Sequence, residues 1–233
     1  MPAPALSAAM AYRVGVVPAT QAPAVFALRR AAYRQATEFQ WRDEALLRWC
    51  AADDAGTVLG LWDDQGQLLS TLRASVLVSR QAVAQFLEYA LQGQVLPVSP
   101  LRPCLVFSRA ATWPSHARQG LFVLMRLAYL QAVRHTVVDS LCAVVYEGGP
   151  RLRAMRDAGY SLRVPKAGWD SEARALTQPL LAVLRRARFE RALQRVQQEL
   201  AARPGGAPPL QVDLPALVAS LQRSAAQAAL LAR

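Results

Sequence analysis

The stretch Leu105-Val-Phe-Ser-Arg109-Ala-Ala-Thr-Trp-Pro114-Ser-His-Ala-Arg118-Gln-Gly120-Leu-Phe122-Val-Leu-Met-Arg-Leu-Ala-Tyr129 decides how this 233-residue chain is read. With Cys104 in front of it, the apolar opening predicts a strand over Cys104 to Arg109. Pro114 marks a turn, and Gly120 to Arg134 reads as a strongly periodic helix. A strand that feeds a helix through a short basic loop leaves free backbone N–H groups at the helix start, where the helix dipole favours an anion. Arg118 adds a guanidinium that can grip a phosphate through two hydrogen bonds.

A second strand-to-helix unit follows. Ser140 to Tyr146 reads as a buried strand, Gly148-Gly149 as a break, and Pro150 as the first turn of a helix that closes at Gly159. Tyr160 to Val164 is again strand-like. Upstream, Tyr12 to Val17 is β-prone, and Thr20 is placed to cap an amphipathic helix reaching about Ala36, with Val25, Leu28 and Ala32 at helical spacing. Thr37 to Ala55 reads as a loop and a short helix. Thr57–Trp62 and Gln67–Val78 flank Asp63-Asp64-Gln65-Gly66, a hairpin signal. Arg80 to Leu91 reads as a helix, and Gly93 to Pro103 as a proline-containing connection. After Trp169 the pattern is helical from Ala173 to Ala202, breaks at Pro204 to Pro209, and resumes from about Pro215. The order of elements is that of an α/β (α+β) chain over residues 12–169, with a helical extension over 170–233.

Composition narrows the class. Apolar residues make up 53% of the chain, yet no uncharged stretch reaches the roughly 20 residues of a spanning helix. The first residues lack the basic and apolar regions of a secretory signal, so a cytoplasmic location is expected. The three cysteines, Cys50, Cys104 and Cys142, have no paired ligand spacing and read as thiols. His116 and His135 lack carboxylate or cysteine partners at ligand spacing, so no metal is expected. Ser108 lacks the glycine-flanked elbow of a serine hydrolase. A net charge of +11 calls for an anionic partner without choosing one.

The order of elements and the motifs around Pro114 and Gly120 resemble the GNAT acyltransferase superfamily over most of residues 12–165, and the resemblance implies a central twisted mixed sheet flanked by helices. The glycine-rich loop of that family falls on Ala117, Arg118, Gln119, Gly120, Leu121 and Phe122, where a single glycine remains. This worn loop is similar to those of two branches that take acyl groups from a carrier protein, the N-acyl amino acid synthases and the acyl-homoserine-lactone autoinducer synthases. Leu28-Arg-Arg-Ala-Ala-Tyr-Arg34, Trp41, Leu72-Arg73 and Ser108-Arg109 carry the same likeness. Val106 stands where the autoinducer synthases have a glutamate, which tilts the expectation from lactone synthesis toward acylation of another amine.

The resemblance implies an N-acyltransferase that moves a fatty acyl chain from an acyl carrier protein, or from acyl-CoA, to the amine of an amino acid or related small molecule. Acyl-phosphopantetheine or acyl-CoA is then a co-substrate, and no permanently bound cofactor is expected. Thr112 and residues 118–122 are the implied donor contacts. Ala110 and Ala111 are candidates for the backbone N–H that meets the thioester oxygen where two central strands splay. Glu147 is a candidate base beside Tyr146, with a solvated turn carboxylate as the competing reading. Arg30, Arg73 and Arg109, with Trp41 and Tyr146, are candidates for holding the acceptor, against a surface role for Arg30 and a core role for Trp41. Met155 stands where many family members have a tyrosine that protonates the leaving thiol. The arginine-rich segment Arg185–Arg191 suits an acidic carrier protein; nucleic acid is not the partner expected. Two alternatives stay open, an acetyl-CoA-dependent transferase and a catalytically silent GNAT-like binding module.

Overall fold

A computed structural model describes residues 10–37, 39–41, 43–87, 98–99, 101–164, 173–203 and 206–231. In chain order the elements are β1 (Tyr12–Val16), α1 (Ala22–Arg34), β2 (Phe39–Trp41), α2 (Ala51–Ala55), β3 (Thr57–Trp62), β4 (Leu68–Leu77), α3 (Arg80–Leu87) and β5 (Cys104–Thr112). They continue with α4 (Leu121–Val133), β6 (Ser140–Tyr146), α5 (Pro150–Asp157), β7 (Ser161–Arg163), β8 (Ala173–Ala175), β9 (Pro179–Arg185), α6 (Phe189–Ala201), β10 (Leu210–Val212) and α7 (Leu214–Leu231). The mixed sheet runs β10-β1-β3-β4-β5-β6-β9-β7, and β2 and β8 pair separately.

Side-chain alternation divides the core between the two sheet faces. Leu59 and Leu61 of β3, Leu72, Ala74 and Val76 of β4, and Leu105 and Phe107 of β5 face a cluster built with α4, α6 and α7. Val58 and Trp62 of β3 point the other way, toward Val25 and Leu28 of α1. Cys104 and Val106 of β5 join Val83 of α3, Cys142 of β6 and Val183 of β9 on that second side. Helix α4 is buried nearly all round, because α6 and α7 cover the side that the sheet does not.

The hairpin between β3 and β4 turns where Asp63 to Gly66 was expected to turn it. Asp63 Oδ1 accepts from the backbone N–H of Gln65 (3.1 Å) and Gln67 (2.7 Å), and Gly66 takes the positive φ of 77° that the turn requires. Helix α5 likewise starts at Pro150 and ends before Gly159, whose φ is 91°.

Three expectations change, and one lies partly outside the described residues. Helix α1 begins at Ala22 after a 3-10 turn over Ala19–Gln21; its N-cap is Gln21, which makes no side-chain capping bond, and Pro23 supplies the preset first-turn geometry in place of a Thr20 cap. Strand β5 runs three residues beyond Arg109, to Thr112. Helix α3 is described to Leu87, so the expected residues 88–91 lie outside the described residues. The helix expected from Ala173 starts only at Phe189: Pro179–Arg185 is a strand seated between β6 and β7, antiparallel to both. The segment after residue 170 therefore supplies sheet as well as helix, and β10 adds a parallel strand beside β1.

Candidate active site

Strand β5 is where regular pairing breaks down. Against β4, Ser108 pairs with Arg73 and Ala111 with Thr71, so Arg109 and Ala110 stand where the partner has one residue. This is a β-bulge, and Arg109 turns through it with a φ of 49°, a left-handed conformation that costs an ordinary residue about 1–2 kcal/mol. On the other side, β5 pairs in parallel with β6 only from Cys104 to Phe107, opposite Ser140 to Ala143. Beyond that point the two strands part while each continues, β6 with β9 for a partner.

The carbonyl of Ala110 lies at this opening and is satisfied by side chains. It accepts from the Tyr33 hydroxyl on α1 (3.1 Å) and from Arg151 Nη2 on α5 (2.6 Å). Burial pushes the Tyr33 hydroxyl up in pKa; the charges of Arg151, then Arg29, Arg109 and Arg73, oppose this without cancelling it. Tyr33 is thus a protonated phenol amid four guanidinium groups.

Beneath α1 the arginines gather around one carboxylate. Arg29 and Asp53, both without side-chain exposure, form a two-bond pair at 2.6 and 3.1 Å. Asp53 also accepts from the Cys50 backbone N–H at 3.1 Å and lies 3.4 Å from its Sγ. Burial pushes the Asp53 carboxyl up, but the hydrogen bonds and charge of Arg29, with Arg73 and the Cys50 N–H, hold it below its ordinary value. Arg73, 7% exposed, donates through Nε to Ser108 Oγ (2.9 Å) and through Nη1 to Cys50 Sγ (3.6 Å). Burial and then the Arg109 charge lower the Arg73 pKa, against Asp53 and Cys50. Arg73 and Arg109 are therefore close enough to feel each other, and Asp53 is a carboxylate shared by Arg29 and Arg73.

The expected acceptor residues do not all meet there. Arg73 and Arg109 do. Arg30 is 44% exposed and pairs with Glu44 at 2.8 Å, sharing that carboxylate with Arg34; the inward arginine of α1 is its neighbour Arg29. Trp41 belongs to β2, but its side chain lies outside the described residues. Tyr146 ends β6 half-buried, and Glu147 follows as an exposed turn residue whose backbone N–H donates to Gln178. Met155 is 2% exposed in the core, one turn along α5 from Arg151.

The donor loop has its own geometry. Thr112 Oγ1 is 2.9 Å from Ser70 Oγ, and Gln119 Nε2 donates to the Ser115 carbonyl. Arg118 is exposed with a φ of 66°, and Gly120, with a φ of 85°, precedes the first turn of α4. Leu121 is buried, while Phe122 is half-buried with the Arg151 guanidinium 4.8 Å from its ring centre. A residue far along the chain completes the loop. Arg203, just beyond α6, donates to the Gln119 carbonyl (3.2 Å) and to Glu199 (3.2 Å), which also pairs with the buried Arg126 (3.6 Å). A Cβ built on Gly120 would fall on the Arg203 guanidinium, so the one loop glycine makes room for that arginine.

Among the described residues no group of three or more His, Cys, Asp or Glu is placed to hold a metal, and no helix is long and apolar enough to cross a membrane. The arginine-rich segment is not one helix: Arg185 ends β9, Arg186–Arg188 is a 3-10 turn, and α6 starts at the buried Phe189. Arg186 donates to the carbonyls of Thr136 and Val138, and Arg188 and Arg195 donate to those of Gly159 and Asp157 at the end of α5.

This bulged, splayed sheet beside a basic loop and helix has the GNAT fold. No protein-family model and no curated protein matches the chain by sequence. Solved structures match in three dimensions. BjaI, a CoA-dependent acyl-homoserine lactone synthase solved with SAM and isopentyl-CoA, superposes with a TM-score of 0.59 at 14% identity, covering 95% of this chain and 99% of that one. FeeM, an N-acyl amino acid synthase from uncultured soil microbes, gives 0.55 at 14% identity over 81% and 97%. The acyl-homoserine lactone synthase LasI gives 0.54 at 18% identity over 79% and 94%. The likeness at these identities is one of fold, and in the first case it extends into the segment after residue 170.

Proposed function

We propose that the chain is an N-acyltransferase that moves a fatty acyl group from a phosphopantetheine thioester to the amine of an amino acid or related anionic small molecule. The observation that carries this reading is the bulge at Arg109-Ala110, which stands at the mouth of the splay beside the buried Arg29, Arg73, Arg109 and Asp53 group. An extended amide arm docks on an unpaired strand edge by main-chain hydrogen bonds, and β5 beyond Phe107 offers such an edge to β6. The loop over Arg118 to Phe122, with Arg203, takes the phosphate end of the arm. Thr112 lies along the same strand.

In this reading the backbone N–H of Ala110 or Ala111 meets the thioester oxygen, and Arg73 and Arg109 hold the acceptor's carboxylate so that its amine faces the carbonyl. Glu147 takes the amine proton, directly or through water. The donor is an acyl carrier protein or acyl-CoA. Arg188 and Arg191, exposed beside the end of α5, suit the acidic surface of a carrier. The CoA-dependent character of BjaI supports the second donor.

The test is free-thiol release from acyl carrier protein and acyl-CoA over several chain lengths in the presence of pooled amino acids. An N-acylated product identified by mass spectrometry supports the reading. Release with acetyl-CoA alone selects an acetyltransferase. No release from any donor leaves the silent GNAT-like module.

A further inference from the structure

Arg151 has no part in the scheme above, yet it reaches the mouth of the splay. It lies in the first turn of α5, on the strand-to-helix connection that leaves β6, and its guanidinium spans the gap to β5, with Nη2 2.6 Å from the Ala110 carbonyl oxygen. The guanidinium also lies 4.8 Å from the ring centre of Phe122, in the first turn of α4. A chain running from the phosphate loop at the head of α4 to the bulge at Ala110 passes this guanidinium. Four residues further along α5, on the same helix face, is Met155, which is shut in the core and has no proton to give.

We propose that Arg151 is the group that stabilises the departing thiolate in acyl transfer. The inference rests on the function proposed above. When the amine nitrogen bonds to the thioester carbon, the C–S bond breaks and sulfur leaves with the bonding pair. With the arm seated, Arg151 turns from the Ala110 carbonyl, which Tyr33 and the arm's own amide N–H then satisfy, to this sulfur. The amine's proton goes to Glu147 or water, and the thiolate takes a proton from solvent. A guanidinium is charged throughout the working pH range, so it acts by charge and hydrogen bonding and transfers no proton. Tyr33, the other donor to the same carbonyl, is the rival for this task, and it would act by giving up its proton.

The experiment uses the full-length protein and a series of acyl thioesters whose leaving thiols span about four pKa units, from alkyl to aryl. In Arg151→Gln we expect kcat/KM with alkyl thioesters to fall about 100-fold, the scale seen when one transition-state donor is removed. With aryl thioesters, whose thiolates need no stabilisation, it should fall by less than about threefold, so the dependence on leaving-group pKa steepens. Arg151→Lys should recover part of the alkyl rate. An unchanged leaving-group slope in an active Arg151→Gln, with only a lowered melting temperature, assigns Arg151 to structure and overturns the proposal while leaving the acyltransferase reading intact. A basic limb in the wild-type pH profile that disappears in Tyr33→Phe gives the task to the tyrosine and overturns it as well. A wild-type protein that turns over no thioester of the series removes both readings together.

Discussion

Arg29 and Arg30 are neighbours on α1 with opposite surroundings. Arg29 completes the stripe of Val25, Leu28 and Ala32 and is buried against Asp53, whereas Arg30 lies a further 100° round the helix and pairs with Glu44 at the surface. Removing one member of a buried ion pair strands the other charge, so Asp53→Ala should cost about 3–5 kcal/mol in a denaturant titration, and Arg30→Ala under about 1 kcal/mol. The sign with pH follows from the lowered Asp53 pKa. The carboxylate contributes its full stability above the ordinary carboxylate pKa of about 4, and the contribution is lost as pH falls through the lower folded value. Melting curves should drop steeply below about pH 4, and Asp53→Asn should flatten that slope on an already lower baseline. At Gly120 the backbone needs a positive φ and the Arg203 guanidinium fills the space of a side chain. Gly120→Ala should cost about 1–2 kcal/mol from the backbone, and a double-mutant cycle with Arg203→Ala should reveal coupling between the two sites.

Among the elements, β5 is regular where it builds the core and irregular where it meets the cleft. One extra residue lifts Arg109 and Ala110 out of both ladders. Deleting Ala110 leaves Ser108 opposite Arg73 and Ala111 opposite Thr71, with Arg109 opposite Leu72, and so restores an unbroken strand. The deleted variant should fold and show amide-exchange protection through the former bulge; if the N–H at the bulge is the oxyanion donor, as proposed, thioester turnover should fall by about 100-fold or more. The strand itself was legible: Cys104 to Phe107 is an unbroken apolar run, as a strand covered on both faces should be. Its bulge was not, because Ala110-Ala111-Thr112 carries no glycine and the extra residue exists only relative to the partner strand. Helix α4, expected from Gly120 and beginning one residue later at Leu121, could be read from its own residues. Arg203 could not, since more than eighty residues separate it from the loop it completes and nothing local distinguishes it from the chain's other arginines.

Over the whole molecule, the late segment is needed by the sheet. Strand β9 lies between β6 and β7 and hydrogen-bonds to both, and α6 and α7 close the outer side of α4. A chain ending after residue 169 would leave β6 with an open edge and the apolar α4 exposed. It should be insoluble or lack a cooperative melting transition, as circular dichroism would show. The net charge of +11 acts at the same scale. If an acidic carrier protein is the donor, raising salt from about 0.05 to 0.5 M should increase its KM several-fold, well beyond any change with a short acyl-pantetheine donor.

By itself the sequence determined the class of fold, the strand-loop-helix segment from Leu105 to Tyr129, the hairpin at Asp63 to Gly66 and the second unit from Ser140 to Gly159. Each of these is written in periodicity and turn chemistry over a few adjacent residues. The tertiary structure alone decided that Pro179–Arg185 is a strand, a short apolar segment whose fate depends on which edges lie open beside it. It also chose Arg29 over Arg30 and brought Tyr33, Arg151 and Arg203 to the cleft. The physical reason is common to all of them: a guanidinium or hydroxyl takes its role from the carbonyl or carboxylate it meets, and those partners lie between 24 and 84 residues away in the chain.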